Sequence, residues 1–118
     1  MDYHLDLETD DAEAFISAME SDAEAAGAAG APVSDSGIGL RNDPENEPRG
    51  GEGVQLLTLL LTIPAGITVD VAADQIKSYL RRKRGIREAT ITWAEETVDD
   101  DGNVDAIARE QRVELDES

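Results

Sequence analysis

Tyr3, Leu5 and Leu7 alternate with His4 and Asp6, so the chain opens with a short half-buried strand. The period then changes. Ala12, Phe15, Ile16, Met19, Ala23 and Ala26 recur at helical spacing, while Asp11, Glu20, Asp22 and Glu24 fill the other face. This predicts a helix over 10–26, opened by a capping box of Asp10 and Glu13 after Thr9 and stopped by Gly27. Residues 28–41 give a weaker signal: Ile38 and Leu40 alternate with glycines, which predicts a strand near 37–41 that could begin at 31. Residues 42–53 (NDPENEPRGGEG) combine proline, glycine and charge and read as a mobile loop.

Residues 54–63 are apolar in every phase. Such a run fits a buried helix or a buried strand equally well. Its leucines favour helix, while its threonines and the terminal Ile63-Pro64 suit a strand; the expectation here is a helix with Leu60 in the core. A membrane span needs about 20 such residues. Pro64, Gly66 and Asp70 interrupt well before that, so membrane insertion is not expected. From Thr68 the helical period returns: Val69, Ala72, Ala73, Ile76 and Leu80 share a face, and a helix over 68–84 should end at Gly85. Thr90, Ile91, Thr92 and Trp93 alternate, giving a strand over 88–97. Asp100-Asp101-Gly102-Asn103 is a turn, and Ile107, Val113 and Leu115 share a phase in a return strand with a frayed end.

These elements predict an α+β fold. A small mixed or antiparallel sheet would carry two or three helices on one face, as a two-layer sandwich in one domain over 1–118. The reason is that Phe15, Met19, Ile76 and Leu80 need a common apolar partner. Tyr3, Leu5, Leu7, Ile91, Trp93, Val113 and Leu115 supply it.

Charge changes the picture most. Against 10 basic residues stand 27 acidic ones, for a net charge of −17 in 118 residues, and lysine occurs only at Lys77 and Lys83. One reading is a protein adapted to molar salt. There the Debye length shrinks to about 3 Å, and hydrated carboxylates keep the surface soluble. The other is an acidic inhibitor that mimics nucleic acid, which requires the carboxylates of 10–26 and of Asp99–Asp105 on one continuous face. Scarcity of lysine favours adaptation. The charge is also unevenly placed: residues 1–48 hold 13 acidic and one basic residue, residues 49–93 hold four and seven, and residues 94–118 hold ten and two. Direct binding to nucleic acid is not expected of such a chain. In the basic middle, Lys77, Arg81, Arg82, Lys83, Arg84 and Arg87 either complement a helix C-terminus or form a docking patch for a protein partner.

Candidate chemistry is thin. There is no cysteine, which excludes disulfides, thiol catalysis and cysteine-bound zinc. His4 lies on the polar phase and has no partner at ligand spacing. Gly50, Gly51 and Gly53 lack the following Gly-Lys-Ser/Thr of a phosphate loop. Asp99, Asp101, Asn103, Asp105 and Glu110 match ligand positions of a calcium loop, but Val104 stands where that loop needs glycine. Paired-carboxylate chemistry would need two acids with separated pKa values in a cleft, and no spacing singles out such a pair. No enzyme, metal site or cofactor is therefore expected. The N-terminal MDYHLDLETDD lacks the basic and apolar regions of a signal peptide, so a cytoplasmic location is expected.

The C-terminal two thirds resemble the effector-associated constant component family of prokaryotic conflict systems. The carriers are the apolar run from Leu56 to Ile63, Gly66, the helix end Tyr79-Leu80-Arg81-Arg82-Lys83-Arg84, Thr90-Ile91-Thr92-Trp93 and Val113-Glu114-Leu115. The sequence departs from the family pattern at Tyr79, where tryptophan is frequent, and in the long Asp99–Arg112 connection. The resemblance implies an accessory or adaptor module without activity of its own, partnered by a protease-type effector; self-association is compatible with it.

Unscreened repulsion among the acids should oppose folding at low salt. We expect cooperative folding in molar KCl and loss of structure on dialysis into dilute buffer. A melting temperature that stays flat across the salt series would reject salt adaptation.

Overall fold

The computed structural model describes residues 3–42, 49–50, 53–83 and 85–115. Most of the loop expected over 42–53, the frayed end and Arg84 therefore lie outside the described residues. Six strands form one fully antiparallel sheet: β1 (Tyr3–Thr9), β2 (Ala31–Pro32), β3 (Gly39–Asn42), β4 (Gln55–Thr62), β5 (Ile86–Val98) and β6 (Val104–Val113). Two helices, α1 (Ala12–Ala26) and α2 (Val69–Arg81), complete an α+β fold. The strand order is β2-β3-β4-β1-β5-β6, so the first strand sits at the centre.

The register explains the core. Leu5 of β1 lies opposite Leu59 of β4 and Ile91 of β5; Leu7 lies opposite Leu57 and Ala89; Tyr3 lies opposite Leu61 and Trp93. Directly opposed residues share a face, so these odd-numbered positions form one apolar surface. They bury with Phe15 and Met19 of α1 and Ala72, Ile76 and Leu80 of α2 in one cluster. α1 packs over β2, β3 and β4, and α2 over β5 and β6. At the sheet's rim Tyr3 and Trp93 meet with ring centroids 5.9 Å apart.

The structure corrects the expectation of a helix over 54–63, and with it that of a third helix. Residues 55–62 are a strand between β3 and β1, with Leu57, Leu59 and Leu61 buried and Leu56 46% exposed. Leucine in both phases hid the period of two. Leu60 falls on the other phase of the strand from Leu57, Leu59 and Leu61, opposite His4 and half-exposed, and is not a core residue.

Both helix ends also differ from expectation. α1 is capped by Asp11, whose Oδ1 accepts from Ala14 N at 3.1 Å; the Asp10–Glu13 box does not form. Buried Thr9 turns its hydroxyl to Asp11 N, and Gln55 Oε1 accepts from Ala12 N at 2.8 Å, so tertiary contacts set where the helix starts. Gly27 (φ 65°) closes α1 in the left-handed conformation, as anticipated. α2 stops at Arg81, short of residue 84. Arg82 N bonds to Tyr79 O and Lys83 N to Leu80 O, which tightens the last turn. Gly85 (φ 79°) then lets the chain reverse, and its carbonyl accepts from Asp10 N at 2.8 Å.

The hairpin of β5 and β6 outruns the sheet. Pairing with β1 ends at Trp93, while β5 and β6 stay paired to Val98–Val104. Val98, Val104 and Ile107 are 67%, 60% and 41% exposed on this arm.

Leu59 and Leu60 make a decisive pair of substitutions. Leu59→Ala should cost about 2–5 kcal/mol through lost burial and a cavity, whereas Leu60→Ala should cost about 1 kcal/mol or less. Denaturant melts in molar KCl measure both. Equal losses would contradict the register of β4.

Candidate interaction surface

Of the six basic residues singled out by sequence, the described ones lie on two elements: Lys77, Arg81, Arg82 and Lys83 in α2 or just after it, and Arg87 on β5. Lys83 Nζ lies 2.7 Å from Asp22 Oδ2 of α1, and the Tyr79 hydroxyl donates to the same oxygen at 2.7 Å. The Lys83 ammonium also sits 4.9 Å from the Tyr79 ring centroid, with the Arg82 guanidinium at 5.6 Å. Asp22 thus gathers the end of α2 onto α1. Arg87 is elsewhere. It is the extra residue where the β1–β5 register shifts, and its Nε meets Asp10 Oδ1 at 2.6 Å. Lys77 is half-buried and Arg81 exposed; both have interactions within the chain. Arg84 lies outside the described residues. Much of the basic segment is therefore engaged in tying the chain's own elements together.

Asp22 and Tyr79 are the residues this geometry adds. Asp22 was read as one of several solvated acids on α1, and only the resemblance drew attention to Tyr79. Nothing in the spacing links two positions that helix packing brings together. Hydrogen bonds from Lys83 and Tyr79 hold the Asp22 carboxyl below the usual range. Burial, followed by the bond to Asp22, raises the Tyr79 phenol well above its ordinary value.

The acidic turn is spent on its own geometry. Asp99 Oδ1 accepts from Asn103 N at 2.8 Å and Asp101 N at 3.0 Å, and these bonds, Asn103 foremost, lower its pKa. Asp105 and Glu110 lie on β6, opposite Thr97 and Thr92. Among the described residues no group of three or more His, Cys, Asp or Glu is arranged to hold a metal ion. His4 lies between Leu60 and Thr92, at a groove lined also by Ala94, Glu96 and Glu110.

The phase of β4, β1 and β5 opposite the core is their even-numbered positions. Leu56, Thr58 and Leu60 of β4, His4 and Asp6 of β1, and Thr90 and Thr92 of β5 are half-exposed or exposed there. Asp6 accepts from Thr58 Oγ1 at 2.8 Å across this face. A depression lined by Asp6, Glu8, Arg49, Leu56, Thr58, Glu88 and Thr90 marks its β4 side. The acids needed for nucleic-acid mimicry are held apart, since α1 packs over β2–β4 while Asp99–Asp105 tip the hairpin at the opposite edge. Among the described residues no helix is long and apolar enough to cross a membrane.

No family model, curated protein or solved structure matches this chain. The resemblance of its C-terminal two thirds rests on the residues quoted for it.

The Asp22 junction sets a pH dependence. A carboxyl with a lowered folded pKa stabilises fully above its ordinary value of 3.8, and that contribution is lost as pH falls through the lowered value. The raised Tyr79 phenol acts at the other end: its contribution is full below the ordinary value of 10.0 and declines above it. Asp22→Asn should therefore lose less melting temperature than wild type as pH falls from 3.8 through the lowered value. The partly exposed ion pair limits its own contribution to about 1 kcal/mol. Parallel acid melts of the two proteins in molar KCl test this; identical slopes would remove Asp22 from the acid response.

Proposed function

We infer that this chain is a non-enzymatic protein-interaction module that works in concentrated salt. By its resemblance, its role is that of an adaptor for a protease-type effector in a prokaryotic defence or signalling system. The fold is read as two layers, both helices on one face of the sheet. The observation that carries the reading is the other face, where Leu56 stands 46% exposed beside half-exposed Leu60 in a field of threonines. A mixed apolar and hydroxyl surface on a rigid sheet suits a protein partner. The described carboxylates all remain exposed or half-exposed, which fits hydration in concentrated salt.

The test is binding to a protease-type effector of a prokaryotic defence system, measured in molar KCl with purified proteins. Leu56→Glu should weaken binding at least about tenfold, equivalent to about 1.4 kcal/mol, without lowering the melting temperature. Loss on Arg81→Gln plus Arg82→Gln instead would move the docking surface to the end of α2. Absence of binding by the wild-type chain would overturn the adaptor reading.

A further inference from the structure

The second feature open to a partner is an edge, not a face. β6 is the last strand of the sheet, ten residues long, with no proline and a first half, Val104-Asp105-Ala106-Ile107-Ala108, that carries a single charge. Natural edges are usually blunted by brevity, charge or proline, because unpaired N–H and C=O groups template another strand. Here the edge also belongs to the projecting arm: every described residue from Glu96 to Glu110 is exposed. The helical cover is elsewhere. α2 meets β6 at its far end, where Asp70, Asp74 and Lys77 line a depression with Gln111, Arg112 and Val113.

The ladder fixes which groups are free. Asp99 N bonds to Asn103 O at 3.0 Å. Hydrogen-bonded and non-bonded pairs alternate in an antiparallel ladder, and β5–β6 is in continuous register from Val98–Val104. Hence Asp105, Ile107 and Arg109 bond toward β5, while Val104, Ala106, Ala108 and Glu110 turn their N–H and C=O outward.

Two copies pairing antiparallel about a two-fold axis must match residues of the same phase. Several registers centre on the arm or just beyond it: centring on Asp105 opposes two carboxylates, and centring on Ala106 sets Asp105 against Ile107. Centring on Arg109 stacks two guanidinium groups. Centring on Ala108 sets Ile107 against Arg109 and Asp105 against Gln111. Centring on Ile107 sets isoleucine against isoleucine, Asp105 of each copy against Arg109 of the other, and Ala106 against Ala108. It also uses the outward amides of Val104, Ala106, Ala108 and Glu110, and places Ile107 at a non-bonded pair, where side chains approach most closely. Arg109 donates Nε to Glu95 at 2.9 Å; its guanidinium has four further N–H donors to offer.

We propose that two copies of this chain pair antiparallel along β6, with Ile107 facing Ile107 on the two-fold axis and Asp105 paired to Arg109 across it. The sheet becomes twelve-stranded, and the uncovered faces of both copies lie on the same side. The dimer does not depend on the effector reading, because it uses a different surface. A contact of about seven residues per strand falls below the roughly 1,200 Å2 of standard interfaces, so association should depend on concentration. It should be strongest in molar salt, where the repulsion between two chains of −17 is screened.

Sedimentation equilibrium of the full chain in molar KCl should show mass rising from 12.7 kDa toward twice that value with concentration. Asp105→Arg alone and Arg109→Asp alone should each remain monomeric, while an equimolar mixture of the two should dimerise, because opposite charges then meet at both positions. The chain has no cysteine, so Ile107→Cys offers a clean register test: it should form a disulfide dimer on mild oxidation, and Val98→Cys should not. Ile107 is on an exposed arm, and a melting curve will confirm that each variant is folded. A wild type that stays monomeric at the highest soluble concentration would overturn the proposal. So would a mixture no more associated than its components, or crosslinking equal at Val98 and Ile107.

Discussion

Everything in this fold leans on β1 being paired on both sides. Seven residues are held between two other strands, so their odd positions have neighbours in every in-plane direction and the two helices above. Leu5 and Leu7 are consequently almost wholly removed from water. Their registers with Leu57, Leu59, Ala89 and Ile91 gather small and branched side chains into one apolar layer. With so few aromatic residues available, close aliphatic packing across three strands is what generates enough burial. A one-residue slip in either pairing would exchange that layer for His4, Asp6 and Glu8.

The polar contacts serve a second purpose, which is to fix where helices begin and end. Gln55 and Thr9 set the start of α1 from outside the helix. Asp22 draws in Tyr79 and Lys83 from α2, and Asp10 takes Arg87 from the bulge in β5. In a chain with so many acids, the scarce cations are concentrated where chain segments must be joined. Lys83 and Arg87 are thereby held by the fold's own acids, and the partner surfaces proposed for this chain lie on the sheet.

The sheet offers two such surfaces of different physics. One is the phase of β4, β1 and β5 opposite the core, where partly exposed leucines stand among hydroxyls and side chains would decide what binds. The other is the outer edge of β6, where the proposed pairing would draw on backbone groups and the order of charges. On these two proposals, a partner and a second copy would not compete.

The sequence by itself determined the element types wherever one phase was clearly apolar. The first strand, both helices, the strand of Ile91 and Trp93 and the acidic hairpin all follow from alternation or helical spacing. So do the α+β class and the partnership of Phe15, Met19, Ile76 and Leu80 with the odd positions of the strands. Residues 55–62 escaped because leucine occupied both phases, and only neighbours on either side decided that one phase was core and the other surface. The start of α1 escaped because Gln55 and Gly85 act on it through contacts remote in sequence, at Ala12 N and Asp10 N. The basic segment read as a candidate patch because charge is visible in a sequence, whereas Asp22 becomes the neighbour of Lys83 only when the helices dock, and Asp10 that of Arg87 only when β5 pairs with β1. The free edge of β6 likewise belongs to the tertiary structure: a strand's sequence predicts that it will pair, and the sheet order decides on which side it is left unpaired.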